Sequence, residues 1–146
     1  MSPASVRRIV MLLVEDNPAD VVFFREAAGE TKMAADIHVV VNGTDALRFL
    51  RQEAPFDHAP RPDVVVLDLN LPLKNGQEVM LEMASDSVLS TFPVAILTTS
   101  TSETCVCEMY PKGRCLYFTK TDDFKGLQEI VKQIHALASP ANGPGT

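Results

Sequence analysis

Five residues of this chain have types that could act together, and each stands just past an apolar run. Glu15 and Asp16 follow Ile9–Val14, and Asp68 follows Val64-Val65-Val66-Leu67. Thr98 follows Val94–Leu97, and Lys120 follows Cys115–Thr119. Three carboxylates brought close together repel and raise one another's pKa. A divalent cation removes that penalty, and magnesium suits an oxygen site of one or two carboxylates plus waters and phosphate oxygens. Asp16 and Asp68 read as its ligands, Glu15 as a support acting through water, and the backbone carbonyl of Asn70 as a further donor. A carboxylate beside Mg²⁺ can attack a phosphoryl group and become an acyl phosphate. Lys120 would then hold one phosphoryl oxygen as a point charge, and Thr98 another. The chemistry predicted is Mg²⁺-dependent phosphoryl transfer onto Asp68.

Strands and helices must alternate to bring these residues together. Ile9–Val14 is the first strand. Asn17-Pro18 starts a helix, with Asn as cap and Pro at the first helical position, and Gly29 is expected to stop it after Ala28. Ile37–Val41 is the second strand, and Thr44–Gln52 a helix with Ala46, Leu47, Phe49 and Leu50 on one face. Glu53–Pro62 carries three prolines and reads as a surface loop. Val64–Leu67 is short, apolar and β-branched, as a central strand covered on both faces must be. Gly76 opens the third helix, where Val79, Met80 and Met83 share a face. Val94–Leu97 is strand four. Its following Thr98-Thr99-Ser100 can cap a fourth helix, Ser102–Met109, which Pro111 and Gly113 break. Cys115–Thr119 is strand five, and Asp123–Ala138 the last helix, with Leu127, Ile130, Val131, Ile134 and Leu137 at helical spacing.

Five βα units predict an α/β fold: a flavodoxin-like (βα)5 doubly wound parallel sheet of order 2-1-3-4-5. That order makes strands one, three, four and five neighbours, and their C-terminal ends converge on one pocket. Residues 9–138 form the domain. Residues 1–8 read as a mobile leader and the Pro/Gly-rich 139–146 as a disordered tail, with no output domain.

Composition narrows the partners. The 146 residues suit one domain, and 46% are hydrophobic, enough for a real core. A net charge of −6 argues against a nucleic-acid surface. No segment approaches a membrane span, and the apolar run after Arg7-Arg8 is too short for a secretory signal. Cys105, Cys107 and Cys115 make an odd count, and Cys105-x-Cys107 lacks redox or zinc spacing; they read as free thiols in a reducing, cytoplasmic compartment. His38, His58 and His135 are scattered and read as surface residues.

The strand-end motifs resemble those of receiver domains of two-component response regulators. They are Leu13-Val14-Glu15-Asp16-Asn17, Leu67-Asp68-Leu69-Asn70-Leu71-Pro72, Gly76, Leu97-Thr98-Thr99-Ser100 and Tyr117-x-x-Lys120. Val14–Asp20 and Leu97–Ser100 look most similar to stand-alone receivers that work with bacterial phytochrome kinases. The resemblance implies that Asp68 accepts phosphate from a phosphohistidine on a sensor histidine kinase, possible kinases including a bacteriophytochrome. It implies Mg²⁺ on Asp16, Asp68 and the Asn70 carbonyl, with Glu15 in support, and Thr98 and Lys120 on the phosphoryl group. Thr98 and Tyr117 would be the switch pair, Thr98 moving toward phosphate and Tyr117 turning inward. The face of helix four, strand five and helix five would then change shape, and family precedent suggests a homodimer through it. Asn70 and Ser100 fall where such proteins tune hydrolysis of the acyl phosphate. The chain would be a phosphoacceptor signalling protein and not an enzyme beyond slow self-dephosphorylation.

Two departures stand out. The family usually carries a cis proline directly after the lysine; here Thr121 predicts a trans Lys120–Thr121 bond, a displaced Lys120 and slower phosphorylation, because a non-proline cis bond costs about 2.5–4 kcal/mol. Pro111 and Arg114 predict a rearranged end to helix four. Two other classes compete. A haloacid-dehalogenase-like Mg²⁺-dependent phosphatase also uses a strand-end aspartate, but needs a second acid two residues on, where Asn70 stands. A flavodoxin-like cofactor binder needs a hydroxyl- or glycine-rich loop after strand one, where two acids would repel phosphate.

Overall fold

The computed structural model describes residues 8–100 and 104–139. Five strands, β1 (Ile9–Val14), β2 (Ala35–Val40), β3 (Val64–Leu67), β4 (Val94–Thr98) and β5 (Cys115–Thr119), make one parallel sheet in the order β2-β1-β3-β4-β5. Four α-helices connect or follow them: α1 (Pro18–Glu30), α2 (Gly43–Arg51), α3 (Gly76–Ala84) and α4 (Phe124–Ala138). The predicted sheet order is the observed one.

The apolar runs set this arrangement. All four residues of β3 are buried, because β3 pairs with β1 on one side and β4 on the other, and helices cover both faces. On one face Leu12, Val65, Leu67 and Ile96 meet α2 and α3 through Leu47, Val79 and Met80. On the other, Met11, Val66 and Leu97 meet Phe24 of α1 and Leu127, Val131 and Ile134 of α4. The helix starts follow the expected chemistry. Asn17 accepts from the amides of Ala19 and Asp20 ahead of Pro18. Asn75 and Glu78 form a reciprocal capping box, and Asp123 caps α4 through the amide of Gly126.

The structure corrects several local expectations. Helix α1 runs through Gly29 to Glu30, and the chain reverses at Lys32, which carries the positive φ of 59°. The segment expected as an α-helix over 102–109 is a 3-10 helix, Thr104–Met109; Ser102 lies outside the described residues. It is short and rich in β-branched and cysteine residues, which favour an α-helix weakly, and Pro111 closes it. The Lys120–Thr121 bond is trans as expected: among the described residues only Ala54–Pro55 is cis. The cysteines are not all free. Cys107 and Cys115 are joined in a disulfide with Cα atoms 5.5 Å apart, and the unpaired thiol is Cys105, which is exposed. Odd-count reasoning leaves one cysteine over but cannot see that the turn around Gly113 folds the 3-10 helix back onto β5. Of the histidines only His58 is fully at the surface; His38 and His135 are half-buried. Nearly all of the predicted leader and tail lie outside the described residues.

Gly76 does more than open a helix. A Cβ there would stand 2.5 Å from the carbonyl oxygen of Asp68 and 2.5 Å from Leu69 Cα. The start of α3 thus lies directly against the backbone that carries Asp68. Gly76→Ala should cost about 1–3 kcal/mol by overpacking. Gly29→Ala, whose Cβ would meet nothing within 4 Å, should instead add about 0.5–1 kcal/mol. Urea denaturation of the two variants checks both signs.

Candidate functional site

Backbone hydrogen bonds between strand ends set the site. The Glu15 amide donates to the Val40 carbonyl at 3.0 Å, that of Asp68 to Val14 at 3.2 Å, and that of Lys120 to Thr98 at 2.7 Å. Each chemical side chain is thus anchored by the last turn of the ladder beside it. Glu15, Asp68 and Thr98 are the buried polar or charged residues of the described chain.

Their side chains converge. Single carboxylate oxygens of Glu15, Asp16 and Asp68 lie within 4.8 Å of one another. Lys120 Nζ lies 2.8 Å from Glu15 Oε1 and 3.0 Å from Asp68 Oδ2. The other oxygens of these acids accept backbone amides: Glu15 Oε2 from Asn17 at 3.2 Å, and Asp68 Oδ1 from Asn70 at 3.1 Å. Asp16 is exposed and shares an open cleft with Asn70. Thr98 is fully buried, its Oγ1 accepting from the Ser100 amide at 3.5 Å. Tyr117 stands apart. It is half-buried, and its hydroxyl donates to the Ser100 carbonyl at 2.6 Å.

One participant escaped the sequence reading. Asp20, in the first turn of α1, places Oδ2 2.8 Å from Lys120 Nζ. Its signal was its position: three residues past the Asn17 cap, it lies on the helix end that faces the strand termini.

Charge is unbalanced here. Four carboxylates, Glu15, Asp16, Asp20 and Asp68, face the one ammonium of Lys120. At an effective dielectric of about 20, two charges this close repel by roughly 3–4 kcal/mol. Burial pushes the Glu15 carboxyl up; the hydrogen bond from Lys120 opposes that shift and the Asp68 charge adds to it. For Lys120, burial pulls the ammonium down, but the hydrogen bonds to Asp20, Glu15 and Asp68 outweigh it and hold it above the usual lysine value. The donor set is all hard oxygen and carries excess negative charge. It fits a small hard dication such as Mg²⁺, and the open side at Asp16 and Asn70 leaves room for its waters.

The sequence of residues 11–132 matches the family described as response regulator receiver domain. The response regulator Rcp1 of Synechocystis sp. is 35% identical over 137 residues, covering 94% of this chain and 93% of that protein. Among solved structures, the phosphorylated cyanobacterial phytochrome response regulator RcpA superposes with a TM-score of 0.81 at 34% identity, covering 96% of this chain and all of that one. The Mn²⁺-bound form of Rcp1 gives 0.76 at 34% identity, over 88% of this chain and 92% of that one.

Two outcomes follow from the charge balance. Lys120→Met should destabilise the metal-free protein by about 3 kcal/mol, since it leaves buried carboxylates uncompensated. Mg²⁺ at a hundred times its Kd should stabilise the unaltered chain by about 2.7 kcal/mol and raise its urea midpoint accordingly. Asp16→Asn should erase most of that gain. Urea melts in EDTA and in Mg²⁺ test both.

Proposed function

The chain belongs to the response regulator receiver family, and from that premise we propose that Asp68 is its phosphoacceptor and Glu15, Asp16, Asp68 and the Asn70 carbonyl its Mg²⁺ site. The chain is a receiver-domain response regulator, a signalling protein of the two-component type. The observation that carries the site assignment is the junction of Asp68, Lys120 and the acidic cluster at the ends of β1, β3 and β5.

The step is a displacement at phosphorus. A carboxylate oxygen of Asp68 attacks the phosphoryl group of a kinase phosphohistidine. The P–N bond breaks, its electron pair goes to the imidazole, and an acyl phosphate forms on Asp68. Mg²⁺ supplies neutralising charge for the phosphoryl oxygens and the carboxylates. Lys120, already on Asp68 Oδ2, shifts to a phosphoryl oxygen. Thr98, buried at the end of β4, contributes its hydroxyl. Asn70 holds the aspartate in place through its amide.

Phosphate on Asp68 draws Thr98 toward it and frees Tyr117 from the Ser100 carbonyl. That reshapes the face made by Thr104–Met109, β5 and α4. The domain spans 9–138. The similarity to Rcp1 and RcpA supports a phytochrome-type histidine kinase as phosphodonor, and family precedent supports a homodimer through this face. The acidic balance supports protein partners over nucleic acid. Among the described residues no helix is long and apolar enough to cross a membrane; this fits a cytoplasmic protein. The turnover expected is self-phosphorylation and slow self-dephosphorylation, with no external substrate. The haloacid-dehalogenase alternative has no support: the family match is to receivers, and Asn70 stands where the leaving-group acid is needed.

Incubation with labelled acetyl phosphate and Mg²⁺ should give acid-stable, alkali-labile label on the chain. Asp68→Asn should abolish it, and Thr98→Ala or Lys120→Ala should slow it at least about tenfold. Label that persists in Asp68→Asn overturns the assignment.

A further inference from the structure

We propose that Cys107 and Cys115 form a reversible thiol–disulfide site that clamps the switch face, so that oxidation holds the chain in its resting arrangement. The proposal rests on the reading of Asp68 as phosphoacceptor for its consequence, but not for the clamp itself.

The placement of the two sulfurs carries it. Cys107 lies on the 3-10 helix Thr104–Met109, and Cys115 is the first residue of β5. Tyr117 follows Cys115 by two residues, so both side chains leave the same side of the strand. Cys107, Cys115 and Tyr117 all pack, half-buried, against the core that α2 and α3 share. The bond therefore fastens the 3-10 helix to the strand that carries the switch tyrosine.

The other fastenings here are hydrogen bonds. The Tyr110 hydroxyl, buried at the end of the 3-10 helix, donates to the carbonyls of Leu89 and Phe92 at 2.9 and 2.8 Å. Tyr117 donates to Ser100. Of the links described around this segment, the disulfide alone answers to redox state. Both cysteines of the pair are half-buried; Cys105 is exposed and lies outside the pair.

The chemistry balances with a small dithiol as reductant. One of its thiolates attacks a sulfur of the pair, giving a mixed disulfide; the other protein sulfur leaves as thiolate and takes a proton. The second thiol of the reductant then displaces the remaining protein sulfur. Two electrons and two protons reach the protein, and the reductant leaves as its cyclic disulfide. A low-molecular-weight disulfide reverses the exchange.

The full chain is prepared with oxidised glutathione or with dithiothreitol, and free thiols are counted by alkylation and intact mass. One reactive thiol is expected after oxidation and three after reduction, since Cys105 is free in both. Amide hydrogen exchange over residues 104–119 should quicken on reduction. The rate of Asp68 labelling by acetyl phosphate with Mg²⁺ should rise about fivefold or more. Cys115→Ser and, separately, Cys107→Ser should show the faster exchange and labelling without reductant, while Cys105→Ser should keep the redox response. Three reactive thiols after oxidation overturn the proposal, as does unchanged exchange over 104–119, or labelling of both forms at the same measurable rate. Faster exchange on reduction with no label on either form supports the clamp and overturns the phosphoacceptor reading instead.

Discussion

Lys120 is the cation that makes a buried cluster of acids tolerable. Its ammonium touches Glu15, Asp20 and Asp68, which reach it from β1, α1 and β3. Two of these acids are buried, and a buried carboxylate without a partner is among the most costly features a fold can carry. The lysine compensates only part of the negative charge. The negative charge left over would draw in a dication, and only with that dication in place would the pocket accept an anionic phosphoryl group. The fold tolerates the imbalance because its other terms, two apolar layers on a five-stranded sheet, are large.

The sheet supplies precision where the chemistry needs it. Glu15, Asp68 and Lys120 each carry an amide bonded to the last carbonyls of a neighbouring strand. Their Cα positions are thus fixed by ladder geometry and not by loop conformation. Gly76 adds a constraint from the helix side, by letting α3 come within contact of the Asp68 carbonyl.

What was legible in the sequence divides along the same line. Strands show as short apolar runs, and their register fixes which residues end them, so Glu15, Asp16, Asp68, Thr98 and Lys120 could be placed from spacing. The start of α1 was legible too, since Asn17 caps by local chemistry and Pro18 follows it. The role of Asp20 was not: a first-turn acid looks the same whether it meets solvent or a lysine 100 residues away. The Cys107–Cys115 pair was hidden for a similar reason. Its formation depends on how tightly the turn before β5 folds back, a tertiary fact that cysteine spacing does not encode. Gly29 misled because glycine is a common helix stop but not an obligatory one, and Lys32 could take the left-handed turn instead.

The proposed switch would need a lightly held part beside a rigid one, and magnitudes separate the two. A single hydrogen bond such as that from Tyr117 to Ser100 is worth only about 0.5–1.5 kcal/mol net. On the proposed reading, a charge-assisted contact made by a newly arrived phosphoryl group would exceed that and draw Thr98 and Tyr117 across a small barrier. Tyr110 is a different case: it is buried and its hydroxyl bridges two carbonyls, so releasing it strands polar groups as well as losing bonds. The 3-10 helix is therefore anchored at its Tyr110 end. The disulfide joins this anchored segment to β5, the strand that carries Tyr117.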